Sequence, residues 1–293
     1  MTRWLVTGAG GMLGRDLVTA AGQRGHEVTG LARSQLDIAE QAAVRRALAQ
    51  WQPAVVVNCA AWTAVDDAEA REGEALAVNG VAVAGLAAAC AAQGAALVQL
   101  STDYVFDGQG ARPYPEDAEP GPRTAYGRTK LAGEQAVLGQ PGLAGYVVRT
   151  AWLYGAHGRN FVATMIAKAR AGADVQVVDD QHGQPTWTMD VATQIAALIE
   201  AGGPPGIYHA TSSGATTWFG LAQEVFRLLG ADPARVTPIR TAALARPAPR
   251  PAYSVLGHDA WGRAGLAPIG NWQPALQRAF PALLATPAPA PAS

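Results

Sequence analysis

Tyr126 and Lys130 stand four residues apart in Tyr126-Gly-Arg-Thr-Lys130. On a helix that spacing puts both side chains on one face, so a phenol and an ammonium can share a cleft. A neighbouring positive charge favours phenolate and lowers a tyrosine pKa from about 10, which makes a proton donor usable near neutral pH. Lys130 is one of only two lysines beside twenty arginines. A compact charge on a flexible stem does work that the planar arginine fork cannot. The same spacing also describes a solvated surface pair, so the rest of the chain must decide.

Ser101-Thr102-Asp103-Tyr104-Val-Phe-Asp-Gly108 follows an apolar run and places a hydroxyl, a carboxylate and a phenol together. At the C-terminal edge of a parallel sheet these would face a ligand, although Ser-Thr-Asp alone equally describes a helix cap or turn. Near the N-terminus, Gly8-Ala-Gly10-Gly11-Met12-Leu13-Gly14 lies between a strand-like and a helix-like segment. Glycines at 8, 11 and 14 allow a tight turn, close approach of a pyrophosphate and close helix–strand packing. The helix start then offers amides to the phosphates. The second strand ends in Leu31-Ala32-Arg33-Ser34, with no acid before Asp37. An arginine there accommodates a 2′-phosphate, so the reading is NADPH with NADH as the alternative, and a plain solvated loop charge also fits Arg33. Small residues in Asn58-Cys-Ala-Ala-Trp-Thr-Ala-Val-Asp66 let a cofactor lie against the backbone.

The elements that position these groups alternate β-branched runs with Ala- and Leu-rich helical patterns. Strands are expected at 4–7, 27–31, 55–57, 97–100 and 146–149, with helices at 12–23, 39–50 and 75–93. Such alternation, with continuous apolar runs, indicates a doubly wound parallel α/β sheet of the Rossmann type. Further strand 174–178 and helices 190–200 and 218–229 belong to a less regular second half, in which Pro247–Pro251 must be extended. The division read from this pattern is a dinucleotide-binding domain over 1–152 plus about 187–217. A smaller substrate-binding region covers 153–186 and 218–284, and a Pro/Ala tail 285–293 follows.

Apolar residues make up 49% and charged residues 15%, the net charge is −1, and no basic block is present, which speaks against a nucleic-acid partner. Cys59 and Cys90 have no metal-like spacing and point to a reduced, cytoplasmic setting. The first residues run into a strand and leave no room for a signal peptide. The apolar stretch 81–100 is alanine-rich and broken at Gln93-Gly94, which describes a buried helix, a glycine stop and a buried strand rather than a membrane span.

Together these motifs resemble the extended short-chain dehydrogenase/reductase superfamily, and within it the dTDP-4-dehydrorhamnose reductase family. The resemblance runs to about residue 280 and includes Arg149-Thr-Ala-Trp-Leu-Tyr154, Asn160-Phe161, Asp180-Gln-His-Gly-Gln-Pro-Thr186 and Arg250-Pro-Ala-Tyr-Ser254. It implies an NADPH-dependent reduction at C4 of a dTDP-4-keto-6-deoxy sugar, with a catalytic set of Thr102, Tyr126 and Lys130. Tyr126 would give the proton, Lys130 would tune it and hold the nicotinamide ribose, and Thr102 would orient the substrate oxygen. Gly8, Gly10, Gly11, Met12, Leu13, Gly14 and Arg33 would hold the phosphates of the cofactor. Asp37 and Ile38 would lie near adenine, with Ala60, Ala61 and Trp62 along the cofactor. Thr63, Val65, Asp103 and Tyr104 would line the sugar pocket, with Trp152 at the sugar or nicotinamide. Asn79 matches a structural or relay asparagine, and an ordinary helix-interior Asn is the other reading.

Tyr104 stands where the related 4,6-dehydratases carry a glutamate base, which favours a simple reductase. Tyr253 departs from the commoner family Asn. Arg250 is either a substrate-phosphate contact or a surface arginine in a proline-rich loop. Some relatives are magnesium-bridged dimers, and Asp16 is acidic, but Thr188-Met-Asp190 gives no match, so no metal is assigned and the assembly is a monomer or homodimer. The competing readings are a ketoreductase for another dTDP-deoxysugar, and a non-catalytic regulatory subunit of methionine adenosyltransferase. Retention of Thr102, Tyr126 and Lys130 argues against the latter.

Overall fold

The β-branched runs become strands of one parallel sheet in a computed structural model that describes residues 1–285. Thr286–Ser293, read above as a tail, lies outside the described residues. First come β1 (Arg3–Thr7), α1 (Met12–Gln23), β2 (Glu27–Leu31), α2 (Gln41–Trp51) and β3 (Val55–Asn58). Next, α3 (Val65–Ala70), α4 (Glu72–Leu76), a π-helical turn (Ala77–Val81) and α5 (Ala82–Gln93) lead to β4 (Ala96–Thr102). They are followed by α6 (Ala125–Leu138), β5 (Gly145–Thr150), β6 (Leu153–Tyr154), α7 (Phe161–Arg170) and β7 (Val175–Val178). Then come β8 (His182–Gly183), β9 (Thr186–Trp187), α8 (Thr188–Glu200), β10 (Gly206–His209) and β11 (Thr216–Thr217). The last are α9 (Trp218–Leu228), β12 (Val236–Ile239), α10 (Ala260–Arg263) and α11 (Trp272–Ala285).

The main sheet runs β10-β5-β4-β3-β1-β2. From β1 the chain moves outward to β2, then returns to pair β3 on the other side of β1. This reversal opens a crevice at the C-terminal strand ends, where α/β sheets bind ligands. Alternate strand residues serve two cores. Trp4, Val6, Val57, Val98 and Val148 pack with α1 and α8, while Leu5, Val56, Leu97 and Val147 pack with α2, α5 and α6.

By length and composition alone, the helix Glu72–Gln93 is apolar enough to cross a membrane. Its Val83, Leu86, Ala87 and Cys90 are instead buried in the second of those cores, and it stops at Gly94 in the left-handed conformation. A separate core of Val162, Ile166, Leu221, Phe226 and Leu276 joins α7, α9 and α11 beyond the crevice. Two-stranded pairings β6–β9, β7–β12 and β8–β11 build the far wall. The proline-rich segment Pro247–Pro251 forms no regular element and bends at Pro247 and Ala248, so the expected extended run is not continuous. The Tyr253 amide donates to Gly108 O (3.0 Å) and the Ser254 amide to His182 O (2.9 Å), which straps the β4 loop to β8.

Helix α6 is fixed to the sheet by a buried ion pair. Arg149 on β5 and Glu134 on α6 are each 1% exposed, and Arg149 Nη2 and Nε donate to the carboxylate at 2.7 and 2.9 Å. Ser101 Oγ donates to the same carboxylate at 2.5 Å. Arg149 Nη1 also donates to Glu116 O, and its guanidinium lies 4.9 Å from the Phe106 ring centre. Removing one partner strands the other charge in the core, so Arg149→Met should cost about 3–5 kcal/mol in urea denaturation. The double variant Arg149→Met/Glu134→Met should recover most of that loss.

Candidate active site

The crevice is built first from what the glycine-rich turn leaves out. Gly8 has φ +66°, and a Cβ there would sit 2.6 Å from the Ala60 amide, so the turn after β1 lies directly on the segment after β3. The Gly11 amide donates to Gly8 O at 3.0 Å, and α1 starts with no side chain capping it. Its first amides therefore remain available to an anion. Beneath this turn a side-chain ladder crosses three strands. Thr7 Oγ1 donates to Asn58 Oδ1 (2.6 Å), Asn58 Nδ2 to Gln99 Oε1 (2.7 Å), and Gln99 Nε2 to Leu100 O (2.7 Å).

Lys130 Nζ donates to that same Leu100 carbonyl at 2.6 Å. The start of α6 is held by Thr124, whose hydroxyl accepts from the Gly127 amide (3.0 Å), and by Glu69, which accepts from the Ala125 amide (2.9 Å). A side chain on Gly127 would strike the Tyr104 carbonyl, so glycine lets α6 begin against the turn after β4. This close approach sets the Tyr126 ring edge-on to Tyr104, with centroids 5.6 Å apart. Asn79, turned inward by the π-helical turn, accepts from the Trp62 amide (2.9 Å) and donates to Trp62 O and Thr129 Oγ1. The Thr129 hydroxyl in turn donates to Tyr126 O (2.9 Å), so one asparagine ties the loop after β3 to the tyrosine's own helical turn.

A cavity of about 880 Å³ runs from this turn to the far wall. Of the residues singled out from sequence, Gly8, Gly11, Met12, Leu13, Gly14 and Ala61 line its one end. Thr102, Asp103, Tyr104, Tyr126, Lys130 and Trp152 line the middle, with Thr63, Val65 and Arg250 beyond. Gly10, Arg33, Asp37, Ile38, Ala60 and Trp62 are not brought onto its lining. Arg33 is 85% exposed and pairs loosely with Asp37 (3.3 Å), whereas Ile38 is buried in the fold. Arg250 is neither free nor on the surface. It makes a two-point ion pair with Asp66 (2.9 and 2.8 Å) at the start of α3, and Arg246 adds a third contact to Asp66 at 3.5 Å.

The titrating groups depart from their ordinary values in directions that burial explains. Desolvation pushes Tyr126 up to about 12, opposed by a hydrogen bond with Thr102. Desolvation also pulls Lys130 down to about 8, against the fields of Glu134 and Cys59. The expected lowering of Tyr126 by Lys130 is not among the influences on the phenol, whose ammonium neighbour is directed to Leu100 O; burial sets the direction. Asp103, 3% exposed, is raised to about 6 by burial, although Thr102 Oγ1 donates to its Oδ1 at 3.0 Å. Its Oδ2 makes no hydrogen bond of normal geometry, although the Ser254 hydroxyl lies near enough to oppose the upward shift.

Several lining residues carried no sequence signal strong enough to single them out. Arg159, Gln176, Trp218 and Arg246 reach the cavity only through tertiary pairing of the second half. Asn160 and Phe161 were visible as a motif, and Asn160 proves to cap α7 by accepting from the Ala163 amide (2.9 Å).

A glycine turn under an uncapped helix, continuous with a Thr-Tyr-Lys cluster at the same sheet edge, defines a Rossmann-type reductase. The family model described as the RmlD substrate binding domain matches residues 2–284. A dTDP-4-dehydrorhamnose reductase from Streptomyces griseus is 61% identical, covering 96% of this chain and 94% of that one. A Streptomyces niveus protein named dTDP-4-keto-6-deoxy-D-glucose reductase is 53% identical, covering 96% and 97%. The crystal structure of dTDP-4-dehydrorhamnose reductase from Bacillus anthracis in complex with NADP superposes with a TM-score of 0.91 at 34% identity, covering 95% and 98%. The chain belongs to the dTDP-4-dehydrorhamnose reductase family of NAD(P)H oxidoreductases.

Asp103 yields a stability test. Its folded pKa lies above the ordinary carboxylate value of 3.8, so its stabilising contribution is present below that value and lost as pH rises through about 6. Asp103→Asn should therefore be more stable than wild type at pH 7, by about 3 kcal/mol, with the gap closing toward pH 4. Urea melts at both pH values check it, and an Asn variant no more stable at pH 7 would contradict the buried-charge account.

Proposed function

We propose that the chain reduces the C4 keto group of dTDP-4-dehydro-L-rhamnose to give dTDP-L-rhamnose, using NADPH. The observation that carries this reading is the convergence of Thr102, Tyr126 and Lys130 on a cavity continuous with the Gly8–Gly14 turn. The residues present suit a dinucleotide: a side-chain-free turn, uncapped helix amides, and an exposed Arg33 beyond β2 that fits a 2′-phosphate. The NADP in the Bacillus anthracis relative supports the same choice. When bound, the nicotinamide would supply the hydride.

The protein's part is orientation and proton supply. Thr102 hydrogen-bonds the substrate oxygen, and Tyr126, kept neutral by burial, retains a proton to give to the developing alkoxide. Lys130 places a positive charge beside that oxygen and the nicotinamide ribose, where a buried charge acts strongly. Asp66 holds Arg250 in place at the cavity's outer end, where the nucleotide diphosphate would lie. Trp152 would meet the sugar through the ring edge that lines the cavity. A second reading, reduction of another dTDP-4-keto-6-deoxysugar, is favoured by the 53% identity to the Streptomyces niveus protein. A regulatory, non-catalytic role has no need of a Thr-Tyr-Lys cluster on the cavity.

Wild type should oxidise NADPH only when dTDP-4-dehydrorhamnose is present, and Tyr126→Phe should lose at least about a hundredfold in kcat. Absence of substrate-dependent oxidation would sink the rhamnose reading, and normal turnover by Tyr126→Phe would remove the proton donor. NADPH should be preferred over NADH, with Arg33→Asp reversing the order.

The pH profile provides a separate check. Lys130 should lose its charge as pH rises through about 8, so kcat/KM should fall there, well below the ordinary lysine value. A profile flat to pH 10 would show that the ammonium is not required.

A further inference from the structure

Trp152 is one of two non-glycine residues with positive φ among the described residues, at +47°. A bulky side chain there is strained, and such strain persists only where the surroundings over-determine it. Its surroundings are specific. The Trp152 and Trp218 rings stack with centroids 3.6 Å apart and planes 10° apart, and Phe161 packs tilted on Trp218 at 4.7 Å. Gly183 abuts the same indole, and a Cβ there would overlap Trp152 at Cε2, Cζ2 and Nε1. The Trp152 carbonyl accepts from the Thr186 amide at 3.2 Å.

Gly183 and Trp218 belong to one ribbon. β8 and β11 pair antiparallel with Thr216 opposite Gly183, and Trp218 follows Thr217 directly. Thr217 caps α9 by accepting from the Gly220 amide at 3.1 Å, which fixes where Trp218 starts its helix. The ribbon thus reaches over from the second half of the chain and holds an indole that grows from the end of β5. Trp152, Trp218 and Phe161 all face the cavity that contains Thr102 and Tyr126.

We propose that Trp218 and Gly183 are positioning residues that clamp the Trp152 indole as a fixed aromatic wall for the hexose of the nucleotide sugar. This rests on the dTDP-sugar reading above. With Trp218 on one face and Gly183 against the other, the indole meets the cavity by its edge, and an edge that cannot turn away orders a pyranose before the chemistry begins. On that reading the clamp acts on the sugar, and separate KM values for sugar and NADPH distinguish it from an effect on the cofactor.

Two signatures separate this from a merely structural role. Stacked indoles give an exciton couplet in far-ultraviolet circular dichroism, which Trp218→Phe should abolish and Gly183→Ala should weaken. In turnover, Trp218→Ala should raise the KM for the dTDP-4-keto sugar about tenfold, with kcat and the KM for NADPH changed less than about twofold. Trp218→Phe should restore most of the sugar KM, since a phenyl ring still stacks. If Trp218→Ala fails to fold, the same comparison is read from Gly183→Ala, which should raise the sugar KM alone. A wild type without the couplet, or a clamp variant that moves both KM values together or neither, overturns the proposal. A wild type inactive on every dTDP-4-keto sugar overturns the substrate reading and this inference with it. An active wild type with an unchanged sugar KM in the variants overturns the clamp alone.

Discussion

The Glu134–Arg149 pair fixes the geometry on which the rest of the site depends. Two charges at 1% exposure are costly to bury unless every oxygen and N–H finds a partner, and here Ser101, Glu116 and Phe106 complete the set. Glu134 lies one helical turn after Lys130, and Ser101 immediately precedes Thr102. The pair therefore sets the depth of the helix carrying the tyrosine and lysine and the end of the strand carrying the threonine. A helix packed by apolar contacts alone could slide by a fraction of an ångström with little penalty. A two-point ion pair in a dry core allows no such latitude.

That dryness has electrostatic consequences. Tyr126, Lys130 and Asp103 are each displaced toward the neutral form by desolvation. A neutral phenol keeps the proton it must deliver, and a lysine near its titration point responds strongly to any neighbouring charge. The Asp103 oxygen that lacks a hydrogen bond of normal geometry is a liability for folding, retained where the sugar pocket begins. Stability and site chemistry are here in tension within a few residues of one strand end.

Much of this was legible in the chain itself. The strands at 4–7, 55–57 and 146–149 announce themselves because a strand covered on both faces needs uninterrupted β-branched residues. The glycine turn and Tyr126–Lys130 are legible because their function fixes a short spacing. What stayed hidden is non-local or is decided by balance. Arg250 finds Asp66 across 184 positions, and the partner of Trp152 lies in another helix, so no spacing encodes either. The two-residue strands β6, β8, β9 and β11 are too short for periodicity to show. α11 carries Pro281 in its interior, which obscures its helical pattern. The sign of the Tyr126 shift depends on how deeply the pair is buried, and residue types alone do not give depth.

The ladder Thr7–Asn58–Gln99–Leu100 has a direction. Each amide could in principle be turned end for end, reversing donor and acceptor. Thr7 spends its single proton on Asn58 Oδ1, and the Ala60 amide points to that same oxygen at 3.2 Å. With its oxygen claimed twice, Asn58 can offer only its NH2 to Gln99, and Gln99 must then present its own NH2 to Leu100 O. The carbonyl that receives Lys130 is thereby polarised by a choice made two strands away, at the residue that begins the glycine turn. The two ends of the crevice share one hydrogen-bond orientation, set once when the sheet forms.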